Sequence, residues 1–186
     1  MLGQRGDLKS ILAHPPKPTM NTTPEIDSES FDIEDGGDII GLAKGLVNGR
    51  HPGILATVTQ NGKPAVRWMS TFSFDEFPIF HTLTAPDSRK VKEIAQHPDV
   101  NWMFFNHDRS MILNLIGKAH VITDTVELKR IWTKVKDKSL TYFLDKYGKA
   151  PGFVAIETKI ESIECTSPKS ALRFAIETGE LKDARY

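Results

Sequence analysis

From residue 54 onward the chain alternates short apolar runs with turn-forming residues, and most of those runs have a period of two. Ile54-Leu-Ala-Thr-Val-Thr, the turn Gln60-Asn-Gly-Lys and the run Pro64 to Phe74 predict two strands joined by an Asn-Gly hairpin. Phe77 to Thr82, Asp99 to Asn106, Ser110 to Thr123 and Phe153 to Cys165 predict further strands. Helical spacing interrupts them. Ile39, Leu42, Ala43, Leu46 and Val47 share one face, with Asp38 as the cap and Gly49 as the stop. Pro86-Asp-Ser-Arg-Lys opens a second helix with Val91, Ile94 and Ala95 on one side, ended by Pro98. Asp124 with Glu127 is a capping-box pattern for a third helix through Trp132, and Ser139 to Tyr147 forms a fourth before Gly148. Many strands with hairpin-length links and few helices predict an antiparallel sheet or barrel.

The first 36 residues lack this periodicity. They carry His14-Pro-Pro-Lys-Pro-Thr, Asn21-Thr-Thr-Pro and an acidic run to Asp35, a composition expected of a flexible tail, and Met20 is an alternative start. Residues 1–38 hold 8 acids and 3 bases, so the remainder has 16 acids and 21 bases although the whole chain is neutral. The single Cys165 excludes an internal disulfide, and no apolar run is long enough for a membrane helix; a cytoplasmic location is expected. The six histidines lack metal-ligand spacing, so no metal is expected. The lysines around residues 129–138 read as a solvated helix face, and a nucleic-acid partner is not expected.

Candidate chemistry concentrates at Thr82-Leu-Thr-Ala-Pro-Asp-Ser-Arg-Lys, where a strand gives way to a helix N-terminus. Such a terminus favours phosphate; Ser88 can donate a hydrogen bond, Arg89 two parallel ones, and Lys90 adds a compact charge. Taken alone, these residues read more readily as a solvated helix start. Arg67 lies within a strand, sharing a face with Ala65, Met69 and Thr71, and there it needs an anionic partner or an exposed face.

The ordered set Leu55-Ala-Thr-Val, Asn61-Gly-Lys-Pro, Arg67-Trp-Met-Ser, Phe80-His-Thr, Asp87-Ser-Arg-Lys-Val, His97-Pro-Asp-Val and Gly117-Lys-Ala-His-Val resembles the pyridoxamine 5′-phosphate oxidase-like split-barrel superfamily, especially its general stress protein branch. The resemblance covers roughly residues 37–166, leaving 167–186 as a C-terminal extension. It implies a six-stranded antiparallel split β-barrel that forms a homodimer, with flavin mononucleotide (FMN), or FAD or another flavin-like cofactor, at the subunit interface. By position, Arg67, Ser88, Arg89 and Lys90 would hold the phosphate. Trp68, Met69 and Ser70 would lie along the ring or ribityl chain through their backbones, and His81 and Thr82 would approach from the next strand.

The function implied is that of a flavin-dependent oxidoreductase linked to stress, or a non-catalytic flavin-binding regulator. Two departures matter. The oxidase itself has a lysine five positions after the strand arginine, where this chain has Phe72, and its C-terminal Arg-Leu-His-type motif is missing from Ser167 to Tyr186. A second phosphate, on the substrate, needs its own cation, so oxidation of pyridoxamine phosphate is not expected.

Overall fold

The computed structural model describes residues 36–48, 51–74, 77–105, 111–138, 140–148, 152–168 and 172–177. The proposed tail, Met20 and the helix stop at Gly49 lie outside them. Helix α1 (Gly36–Leu46) is followed by β1 (Pro52–Val58), β2 (Pro64–Ser70), β3 (Ile79–Thr84) and α2 (Arg89–Gln96). Then come β4 (Asp99–Phe105), β5 (Ile112–Ile122), α3 (Thr125–Asp137), α4 (Thr141–Tyr147), β6 (Val154–Ser167) and β7 (Leu172–Glu177). All the strand ladders are antiparallel, in the order β2-β1-β4-β5-β6-β3, with β7 pairing to β6.

The predicted hairpin forms with β1 and β2 in register from Pro52↔Ser70 to Val58↔Pro64. Gly62 takes φ of 72° in its turn, a conformation that glycine adopts without a Cβ clash. Between β2 and β3 the only backbone pairing among the described residues is a bridge, in which Phe72 and His81 exchange hydrogen bonds of 2.9 and 2.8 Å. A ring of strands joined there by one bridge instead of a ladder is a split barrel.

The sheet is covered on both faces at one end. Inward residues Leu55, Phe80, Trp102, Phe104, Leu113, Leu115, Ile156 and Ile160 fill the barrel and meet α1 and Ile94 of α2. Trp102 lies between Phe80 and Phe104, with ring centroids 5.3 and 6.3 Å away, and its Nε1 donates to Thr158 Oγ1 at 3.2 Å. That bond satisfies both buried polar groups. The opposite parity of β3, β5 and β6 gives a second core, where Leu83, Ile122 and Ala155 join Phe72 and Phe74 beneath α3 and α4.

Four boundaries depart from expectation. The barrel path has the expected six strands, but β7, from the C-terminal extension, makes a seventh; its Leu172, Phe174 and Ile176 alternate with Arg173 and Glu177. Helix α1 starts at Gly36, so Asp38 lies inside the helix and is not its cap. Asp124 does cap α3, accepting from the Glu127 amide at 2.9 Å, but the helix runs past Trp132 to Asp137 because Ile131 and Val135 are buried in the second core. Strand β2 ends at Ser70, short of Phe74, where the chain turns to make the bridge.

Long strands β5 and β6 bend at a register shift between Ile116↔Ser162 and Gly117↔Ile160. A Cβ at Gly117 would overlap the Lys159 carbonyl oxygen and crowd the Ile160 Cα, both backbone atoms that cannot swing aside. Gly117→Ala should therefore lower stability by about 1–3 kcal/mol, as overpacking does. Urea unfolding midpoints of the two proteins check this, and equal midpoints would contradict it.

Candidate functional site at the barrel mouth

Helix α2 packs against β1 and β5, and side-chain hydrogen bonds tie it to Arg67 of β2 and Thr84 of β3. Inward parity on β1 and β2 points Thr57 and Arg67 at it, and helical spacing turns Glu93 and Ile94 of α2 back toward the strands. Arg67 donates through one terminal nitrogen to Glu93 Oε2 at 2.7 Å and through the other to Thr57 Oγ1 at 2.5 Å. Thr57 in turn donates to the same Glu93 oxygen at 2.6 Å.

Beside this triad, Lys90 Nζ donates to Thr84 Oγ1 at 2.9 Å, and Thr84 donates to Ser88 Oγ at 3.1 Å. Ser88 occupies the N-cap position of α2 without using its side chain to cap the helix. Burial, followed by the charges of Arg67 and Lys146, pushes the Lys90 ammonium below its ordinary value; Glu93 works in the other direction and Arg89 adds to the lowering. Cations from β2, α2 and α4 are thus close enough to repel one another, a state that an anion relieves. Lys146 donates to Tyr142 Oη at 3.0 Å and lies over the ring of Tyr147, whose hydroxyl anchors α4 by donating to the Leu83 carbonyl at 2.7 Å.

The sequence candidates divide by face. Arg67, Met69, Thr82, Ser88 and Lys90 share the inner face or the helix mouth, and Arg89 is exposed beside them. Thr82 Oγ1 donates to the Ser70 carbonyl at 2.6 Å, drawing β3 against the end of β2. Trp68 points the other way, 58% exposed and edge-on to Phe105 at 5.9 Å. His81 also faces outward, stacked on Phe72 at 5.8 Å in the second core, with Nε2 3.1 Å from Glu157 Oε2. The side chains of His81 and Thr82 therefore serve opposite faces of β3.

Four neighbours had no place among the sequence candidates: Thr57, Thr84, Glu93 and Lys146. A threonine at an inward position of an apolar strand, and a carboxylate on the apolar side of α2, were the available signals. Thr71 is a fifth, fully buried on the Arg67 face with its hydroxyl lacking a hydrogen-bond partner. Among the described residues no group of three or more His, Cys, Asp or Glu is placed to hold a metal, and no helix is long and apolar enough to cross a membrane.

Residues 42–167 match the pyridoxamine 5′-phosphate oxidase family. The chain belongs to that family. No curated protein is similar enough to count as a relative. Solved structures share the family fold. A protein from Clostridium acetobutylicum related to general stress protein 26 superimposes with a TM-score of 0.64 at 16% identity, over 79% of this chain and 99% of its own. General stress protein 26 from Bacillus anthracis gives 0.54 at 19% identity, over 75% and 98%. A pyridoxamine 5′-phosphate oxidase-related, FMN-binding protein from Nostoc punctiforme gives 0.52 at 15% identity, over 75% and 92%. Phe72, five positions after Arg67, has 0% exposure and meets Phe74, His81 and Phe143, so this position is apolar core.

Burial pushes the Glu93 carboxyl up, but the Thr57 hydrogen bond and then Arg67 more than offset it, leaving the group below the ordinary carboxylate range. A carboxyl depressed in the folded state stabilises the fold above its unfolded value, and that contribution is lost as pH falls through the folded value. Stability should accordingly decline on acidification below the ordinary carboxylate range, and Glu93→Gln should flatten that limb. Denaturant midpoints at stepped pH check this; parallel limbs in both proteins would exclude a role for Glu93.

Proposed function

We propose that the chain is an FMN-binding protein whose phosphate site is Arg67, Ser88, Arg89 and Lys90, and that it works as a flavin-dependent oxidoreductase linked to stress. The observation that carries this reading is the convergence at one barrel mouth of cations from β2 and α2, with Lys90 held below its ordinary value first by burial and then by the charges of Arg67 and Lys146. Membership of the oxidase family and the FMN-binding name of the Nostoc punctiforme relative support a flavin as the ligand. The general stress protein 26 relatives support the link to stress.

The residues present suit such a group. Arg67 keeps 18% of its side chain exposed after its two bonds, so part of the guanidinium remains for an incoming oxygen. Backbone of Trp68, Met69 and Ser70, with Thr82 across the seam, would line the ring or ribityl chain; the unpartnered Thr71 hydroxyl is a further polar group on that face. His81 would only shape the seam, since its side chain stacks on Phe72 of the second core and its backbone N–H and C=O are bonded to Phe72. A bound flavin supplies electron and hydride transfer, and the protein fixes and tunes it.

The second reading, a flavin-binding regulator without turnover, is favoured by Glu93. This buried carboxylate of the mouth is tied to Arg67 and Thr57, which makes it a poor proton carrier.

Arg67→Ala, Arg89→Ala and Lys90→Ala should each weaken FMN binding roughly 10- to 100-fold while barely changing riboflavin, because a hydrogen bond to a charged group is worth about 1.5–3 kcal/mol. Titration of the apo-protein with both ligands measures the contrast. Unchanged FMN affinity in all the variants would refute the phosphate site. Reduction of the loaded protein by NADH or NADPH with turnover of an acceptor separates the oxidoreductase from the regulator.

We further propose a homodimer with the flavin at the subunit interface. Outward positions Ile54, Val66, Trp68, Met103, Phe105, Ile112 and Ile116 form an apolar surface across β2, β1, β4 and β5, with Val66 68% exposed. Light scattering at micromolar concentration should give twice the chain mass of 20.8 kDa. A monomer that still holds flavin would overturn the arrangement.

A further inference from the structure

Glu93 is the charged side chain that α2 buries, and the flavin reading above gives it no part in binding. Only 6% of its side chain is exposed. Its Oε2 accepts from Arg67 and from Thr57, while Thr57 accepts from Arg67. Two nitrogens of one rigid, planar group are thereby bonded to two oxygens that are bonded to each other. A single contact would leave the guanidinium free to pivot; this closed ring fixes both its plane and its rotation.

We propose that Glu93 and Thr57 are positioning residues that set the Arg67 guanidinium so that its remaining edge gives directed hydrogen bonds to the flavin phosphate. This rests on the phosphate reading of the barrel mouth. It also opposes a simpler expectation. A carboxylate in contact with the arginine repels a phosphate, so if charge alone mattered, removing Glu93 would tighten FMN binding. If orientation matters more, removing it loosens FMN. The sign of the change separates the two.

The full-length apo-protein is titrated with FMN and with riboflavin, following quenching of flavin fluorescence, and its thermal midpoint is recorded alongside. Glu93→Met keeps the size of the side chain and removes both acceptor and charge. It should weaken FMN roughly 10-fold and leave riboflavin unchanged. Glu93→Gln keeps an acceptor oxygen and should recover most of that loss. Thr57→Val removes the other contact of the ring and should act as Glu93→Met does, with Thr57→Ser restoring wild-type affinity; this pair decides the matter if Glu93→Met does not fold. FMN bound as tightly as or more tightly than by wild type in Glu93→Met or Thr57→Val, with Arg67→Ala still weakened, would overturn the positioning role alone. FMN binding unchanged in Arg67→Ala would overturn the phosphate site itself.

Discussion

An arginine on the inner face of a β-barrel is tolerated only when an opposite charge arrives with it, and here that charge comes on a helix. The Arg67–Glu93 contact joins β2 to α2, and Thr57 brings in β1. Once Glu93 is anchored, the helical period decides the rest. Ile94 falls against the barrel core, and Lys90, one turn earlier, reaches Thr84 at the end of β3. The arrangement that neutralises a half-buried guanidinium also sets the position of the cations around it. Stability and ligand geometry at the mouth are therefore not separable properties of this protein.

The second dependence is on sidedness. One sheet supplies two cores because β3, β5 and β6 are apolar on both faces, as is expected where helices cover the outer side. Phe72 is the clearest consequence. The alternation that sends Arg67 inward sends Phe72 outward, beneath α3 and α4, where a lysine would face the rings of Phe74 and Phe143.

Most of the strands could be read from period-two alternation, and the Asn61-Gly62 turn fixed the first hairpin, because these signals are local. What escaped reading was non-local. Glu93 lies 26 residues from Arg67, and no periodicity reveals that pairing. The end of α3 depends on Val135 being buried by distant aromatics, whereas its start is written in Asp124 and Glu127. His81 illustrates a signal that was present: adjacent strand residues point to opposite faces, so His81 and Thr82 cannot both offer side chains to one ligand. Of the cations at the mouth, Arg67, Arg89 and Lys90 were legible. Lys146 was not, since its place depends on Tyr147 finding the Leu83 carbonyl.

The seam between β2 and β3 has an effect on how the barrel breathes. Every other neighbouring pair along the ring is stitched by a ladder, whereas this pair is held by the Phe72–His81 bridge and the Thr82–Ser70 and Ser73–Ile79 contacts. Opening there would break few backbone hydrogen bonds, which makes that line the weakest in the backbone pairing of the ring. The rings of Phe72, His81 and Phe143 lie across it on the outside and act as a clasp. Slackening of the helical cover would thus be felt inside the barrel as a widening at the end of β2, the strand that carries Arg67.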